Sequence, residues 1–274
     1  MFLAINFSTQ SAVLYQLGKI KLNRFKCPDW PDLISEASRY CPVAVHFGLS
    51  AGRGRIKKKD WDEIKRIAEH TQTPFINIHL ESRRQDFPEI ALRSADSKHQ
   101  EQVFRHMIEE VQIAAKFFGA ERIIVENVPY RLNGNVLRAS VEPAVIRRVV
   151  QETGCGFLLD IPHARITANQ LGMDEREYIA SLPVHRLKEL HFTGLENLDG
   201  WLQDHTPAQP EDWALLDWVL EQIRSGGWPR PWLLALEYGG VGEKFSWRTD
   251  ADRIQSQCLM LSEGIARIGP TPSE

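Results

Sequence analysis

Eight short apolar, β-rich runs recur along the chain with helical patterns between them, and this alternation restricts the fold more than any other feature. The runs are FLAINFS (2–8), KIKLNRF (19–25), VAVHFGLS (43–50), FINIHLES (75–82), RIIVENV (122–128), GFLLDI (156–161), LKELHFT (187–193) and WLLALEY (232–238). Most are too continuously apolar for a sheet with one wet face and suit strands covered by helices on both sides. Helical patterns span 32–40, 59–70, 97–118, 141–151, 175–181 and 211–224. Asp29-Trp30-Pro31-Asp32 supplies a helix start, and Gly119 and Gly154 supply helix stops. The pattern predicts an α/β fold, a single-domain (β/α)8 TIM barrel over 1–268, with 269–274 as a flexible tail. A doubly wound sheet is the alternative. KIKLNRF, which carries three charges, is the least strand-like run. No run leads into a GxGxxG or GxxxxGK[ST] loop, so a nucleotide-phosphate cradle has no support.

Composition narrows the class further. Of 274 residues, 43% are hydrophobic and 25% charged, the balance of a soluble domain with its own core. No apolar stretch approaches the roughly 20 residues of a membrane span, so no membrane partner is expected. MFLAINFSTQ lacks the basic start and cleavage site of a signal peptide and reads as a strand. The formal net charge of -3 argues against a dedicated nucleic-acid binder, leaving nucleic acid as a less favoured partner. Cys27, Cys41, Cys155 and Cys258 form no CxxC pair. That excludes a cysteine zinc site and a disulfide scaffold, and fits a reducing, cytoplasmic setting.

Barrel enzymes place their chemistry at the C-terminal ends of the strands. Those ends carry His46, His79, Glu126, Asp160 with His163 three residues on, His191 with Asp204 and His205 in the following loop, and Glu237. Five of the nine histidines fall there, whereas His70, His99, His106 and His185 fall in helices or in the loop before strand seven. Alone, each has a bland reading: a satisfied core histidine, a capping carboxylate, a turn at Asp160-Ile161-Pro162-His163. Successive strands each delivering a ligand type point instead to metal. Imidazole and carboxylate donors without cysteine suit iron, zinc or manganese. Nine donors exceed one coordination sphere and suit two or three transition-metal ions, with Glu126 and Glu237 as bridging carboxylates. Asn77 and Asn127 read as supporting groups. Pro162 should end its strand in a turn that brings His163 back beside Asp160 as a ligand. No Ser-His-Asp or Cys-His arrangement is visible, which argues against covalent acyl chemistry.

Basic residues follow the same strand ends: Arg53 and Arg55 with Lys57, Lys58 and Lys59, then Arg83, Arg84, Arg131, Arg138 and Arg165. The bland reading is a solvated basic face. The functional one is a set of bidentate clamps, notably Arg53, Arg55, Arg83, Arg84, Arg131 and Arg165, for an anionic small molecule or peptide. Trp213, Leu216 and Leu220 share a helical face and read as core, while Trp201 is a candidate wall or lid.

The motifs IIVENV (123–128), TGCGFLLD (153–160), YIASLPVHRLKELHFTG (178–194), DHTPAQPEDWALLDW (204–218) and LLALEYG (233–239), with VHFGLS and NIHLE earlier, resemble a known family. It is the multinuclear non-haem iron-dependent oxidative enzymes, formerly a domain of unknown function, within the xylose-isomerase-like superfamily that includes endonuclease IV. The resemblance implies a TIM barrel holding two or three irons and oxygen-dependent modification of cysteine-containing peptides. Position by position, it marks His46, His79, Glu126, Asp160, His191, His205 and Glu237 as ligands. Pro162 and His163 stand where that family usually has asparagines, and Asp-x-x-His-Ala instead resembles the three-zinc endonuclease IV pattern. Gln203-Asp204-His205 departs from the usual Asp-x-His.

The leading expectation is an iron-dependent oxidative enzyme acting on a peptide or small thiol-bearing substrate, with a possible substrate-delivery partner protein. Competing readings are a zinc phosphoesterase, a sugar isomerase or epimerase in which Glu126 or Glu237 moves the proton, and a non-catalytic metal- or peptide-binding barrel.

Overall fold

A computed structural model describes residues 1–269. Its strands, in chain order, are β1 (Phe2–Asn6), β2 (Arg24–Pro28), β3 (Val43–His46), β4 (Ser50–Ala51), β5 (Ile76–Leu80), β6 (Ile123–Asn127), β7 (Gly156–Asp160), β8 (Leu187–Phe192), β9 (Gly194–Leu198), β10 (Trp201–Thr206) and β11 (Leu233–Leu236). The described residues group into two units, Met1–His46 with the segment from Glu189 onward, and Phe47–Lys188.

In the first unit β1 pairs with β2 and β11, β2 with β3, and β11 with β8, all parallel. Parallel neighbours require crossovers, here served by helices Thr9–Gln16, Pro31–Ala37 and Pro210–Arg224, while helix Ala251–Arg267 follows the last strand. Small strand residues, Ala4, Ala44 and Ala235, pack with Leu233 and half-buried Trp232. β9 and β10 form an antiparallel hairpin. In the second unit β4, β5, β6 and β7 pair in sequence order, also parallel. The helix Ser97–Phe118 covers them with Val103, Phe104, Met107, Val111, Ala114 and Phe118, an apolar stripe at helical spacing.

Strand two is displaced from its expected span of 19–25. Helix Thr9–Gln16 ends at Leu17, and the chain leaves it through Gly18 at φ 66° with Lys19 N donating to Leu14 O. Residues 17–23 therefore form the helix exit and turn, and pairing begins only where Arg24 meets Ala4. Strand three is shorter than expected, with β3 ending at His46. The turn expected after Asp160 is instead a helix, Ile161–Leu171, with Asp160 as N-cap and Pro162 in its first turn, where a missing N–H costs nothing. Asp204 and His205 stand on β10 and not in an open loop. Beyond Gly269, the expected tail lies outside the described residues. No described helix is long and apolar enough to cross a membrane.

Candidate metal centre

The second unit gathers four of the expected residues at its strand ends. His79, on β5, pairs in register with Glu126 of β6, and His79 Nε2 lies 3.4 Å from Glu126 Oε2. Asp160 closes β7. His163 Nδ1 lies 3.4 Å from Asp160 Oδ2 and 4.0 Å from Glu126 Oε1. One donor atom each from Glu126, Asp160 and His163 falls within a 4.8 Å group. Both carboxylates are 1% exposed, and carboxylates this dry require compensating positive charge.

Backbone carbonyls fix the imidazoles. His79 Nδ1 is 2.9 Å from Leu49 O, and His163 Nδ1 is 3.1 Å from Asn127 O. A carbonyl only accepts, so Nδ1 carries a proton there, which leaves Nε2 as the nitrogen able to offer a lone pair. Metal-binding histidines are oriented in this way, and for His79 that Nε2 is the atom facing Glu126. The carboxylates are braced too. Asn77 Nδ2 reaches Glu126 Oε2 at 3.4 Å while Asn77 Oδ1 accepts from Phe47 N at 2.7 Å. Asn127 Nδ2 donates to Asp160 O at 2.9 Å, and Asn127 Oδ1 accepts from Asp160 N at 3.0 Å. Asp160 Oδ1 accepts from His163 N at 2.7 Å, leaving Oδ2 toward the ring. Donor types and burial together fit a divalent transition ion.

A cavity of about 540 Å³ opens beside this group, lined by His79 and His163 and by Arg53, Glu81, Arg83 and Arg131. Three of the expected anion-binding arginines thus share one cavity. Arg53 and Arg83 are positioned by Glu81, at 3.4 and 2.6 Å. Arg55 and Arg84 are exposed, and Arg165 is held by Glu175 at 2.7 Å.

The basic loop after β4 is not a loose solvated face. Glu110 of helix Ser97–Phe118 accepts from the backbone N–H of Gly52, Arg53 and Gly54 on Oε2, at 2.6, 2.9 and 3.1 Å, and from Ile56 on Oε1 at 2.9 Å. Gly52 has φ +102°, and a Cβ there would meet Ser82 Oγ and the Glu81 carbonyl. The sequence reading missed Glu110. Its signal was a carboxylate on the apolar stripe of that helix, between Met107 and Val111.

The first unit holds a differently charged group. His46 ends β3, His191 lies on β8 and Glu237 directly follows β11, with one donor atom from each within a 4.8 Å group. Among them stands Lys26 of β2, 4% exposed. Its Nζ is 2.6 Å from Glu237 Oε1 and 3.3 Å from His191 Nδ1, and it also contacts His191 Nε2. His191 Nε2 is 3.0 Å from Glu189 Oε1, and Trp232 Nε1 donates to Glu189 Oε2 at 3.1 Å. Burial works to raise the Glu237 carboxyl, but Lys26, His191, His205 and His46 hold it well below the usual carboxylate range. The Lys26 ammonium thus already occupies space beside the donor atoms that His191 and Glu237 would offer an ion. Lys26 escaped the sequence reading because strand two was set too early; the run FKCP directly before Asp29-Trp30-Pro31 was the overlooked signal. His205, half-buried on β10 with φ 60°, directs Nδ1 to Glu237 O at 2.8 Å, and Asp204 precedes it.

Among known proteins, the RiPP precursor modification enzyme family MbnB/TglH/ChrH matches residues 27–234. A UPF0276 protein of Acaryochloris marina is 28% identical over 192 residues, which is 66% of this chain and 66% of that protein. The alignment therefore spans just under two thirds of that relative. A solved D-tagatose 3-epimerase-like protein superposes with a TM-score of 0.58 at 13% identity, covering 98% of both chains. Endonuclease IV from Thermus thermophilus superposes with a TM-score of 0.54 at 13% identity, covering 94% of this chain and 99% of that one. Those likenesses show the fold, a TIM barrel, as the strand pattern predicted. Matched over residues 27–234, the chain belongs to the family of RiPP precursor modification enzymes MbnB/TglH/ChrH.

Proposed function

We propose that this chain is a metal-dependent enzyme that oxidatively modifies a cysteine-bearing precursor peptide, using a transition ion held by His79, Glu126, Asp160 and His163. The observation that carries the reading is the clustering of His79 and His163 with buried carboxylates at the strand ends. Each ring sets Nδ1 against a backbone carbonyl, His79 beside buried Glu126 and His163 beside buried Glu126 and Asp160. Iron is favoured, zinc and manganese being also admitted by the donor set; bound iron would supply one-electron chemistry with dioxygen. The chain's own task is to keep the carboxylates dry, to orient the imidazoles, and to seat the peptide. Arg53, Arg83 and Arg131 line the adjoining cavity and would meet peptide carboxylates there.

The test is to load the protein with Fe(II) and incubate it with cysteine-bearing peptides encoded beside its gene, with and without dioxygen, following peptide mass. An oxidative mass change that needs dioxygen, and that Glu126→Ala abolishes, is expected. The Asp160–His163 pairing also favours a phosphoesterase reading. Unchanged peptide mass, together with cleavage of an abasic-site duplex by the zinc-loaded protein, would replace the first reading with that one.

A further inference from the structure

We propose that Lys26 is a built-in cation that takes the place of a metal ion between His191 and Glu237, so that this group of the first unit is lysine-filled and binds no metal. The inference rests on the reading that His/carboxylate groups of this chain bind metal, and it narrows where they do so.

The geometry is that of a cation site already satisfied. Lys26 is the middle residue of β2 and pairs in register with Asn6 of β1, so its position is fixed by the sheet. Its side chain is 3% exposed. Nζ lies 2.6 Å from Glu237 Oε1 and contacts both nitrogens of His191. Zinc-type bonds to nitrogen and oxygen run at about 2.0–2.2 Å. An ion at that distance from both His191 and Glu237 would compete for the same Glu237 oxygen and the same imidazole that Nζ already holds. A buried ammonium also needs an anionic partner, which Glu237 supplies.

The two histidine environments differ accordingly. His79 and His163 each give one nitrogen to a backbone carbonyl. His191 instead lies between the Lys26 ammonium and the carboxylates of Glu189 and Glu237, at 3.0 and 3.4 Å. A tethered ammonium neutralises Glu237 but offers no coordination position and no redox chemistry. It also cannot be removed by a chelator.

Iron content decides the matter. Wild-type protein, Lys26→Met, His191→Asn, the double variant and Asp160→Asn are loaded anaerobically with Fe(II) alone, desalted, and assayed for iron per folded chain. Wild type and His191→Asn should hold equal iron. Lys26→Met should gain about one ion per chain, because the vacated donors then face one another across a buried charge. The double variant should lose that gain. Fe(II) should also raise the melting temperature of Lys26→Met more than that of wild type.

Loss of iron in His191→Asn would overturn the inference, as would equal iron in wild type and a folded Lys26→Met. If Lys26→Met does not fold, the His191→Asn comparison decides alone. An iron-free wild type beside an iron-binding Lys26→Met would overturn the proposed function and uphold the lysine. Iron lost in Asp160→Asn but unchanged in His191→Asn upholds both.

Discussion

Glu110 should be worth more to this protein than a surface glutamate of the same helix. Replacing it with Gln keeps the shape but turns one acceptor oxygen into an NH2 group facing backbone N–H donors. Four donors converge on the carboxylate, and two of them, on Gly52 and Ile56, belong to buried residues. Hydrogen bonds to a charged group contribute about 1.5–3 kcal/mol each, and a buried donor left unmade costs about 1–3 kcal/mol. Against this stands the cost of burying the carboxylate itself, several kcal/mol. The net expected loss is about 3 kcal/mol, in the range of a broken buried network. At roughly 2–4 °C per kcal/mol for a chain of this size, the melting temperature should drop by roughly 6–12 °C. Arg53 should also leave its 3.4 Å contacts with Glu81 and Asp86, weakening anion binding in the cavity. Urea unfolding of Glu110→Gln, with exposed Glu109→Gln as the control, reads the loss directly. A destabilisation below about 1 kcal/mol, with the m-value unchanged, would refute the reasoning that this carboxylate organises the loop.

Asn127→Ala removes both bonds to the Asp160 backbone, and should cost about 2–4 kcal/mol in urea unfolding and lower iron retention. Burial pushes the Cys27 thiol up to about 12 and those of Cys41, Cys155 and Cys258 up to about 11. Because only the thiolate reacts, native protein at pH 8 should resist alkylation at all four, while unfolded protein should label fully; rapid native labelling would contradict the buried placement. Reversing the charge of exposed Lys57, Lys58 and Lys59 should weaken peptide affinity and flatten its salt dependence, measured by titration across ionic strengths, with iron content unchanged.

How far the sequence carried depended on which contacts shape each segment. The helix expected over 97–118 matches Ser97–Phe118, because a long apolar stripe and an Asp96 cap are local signals. β6 and β7, buried along their whole length and apolar up to their C-terminal ends, were equally plain. Strand two was not, since a helix ending at Leu17 consumed residues that looked strand-like, and that helix has almost no apolar stripe of its own. Pro162 was read as a stop, yet in the first turn of a helix capped by Asp160 it is a start. His163 nonetheless lies beside Asp160, through a cap and not a turn. The metal-type residues were legible because chemistry at strand ends is written in residue type. Lys26 and Glu110 were not, because a buried charge is recognised only by the partners that tertiary structure brings to it.

The most direct measurement is the transition-metal content of protein purified without chelator, beside that of Glu126→Ala. Glu126 stands between His79 and His163, at 3.4 and 4.0 Å. Wild type should carry at least about one tightly held ion per chain, and folded Glu126→Ala should lose it. Folded wild type with less than about half an ion per chain after Fe(II) loading, or a Glu126→Ala variant that keeps full occupancy, would contradict a metal centre at these residues.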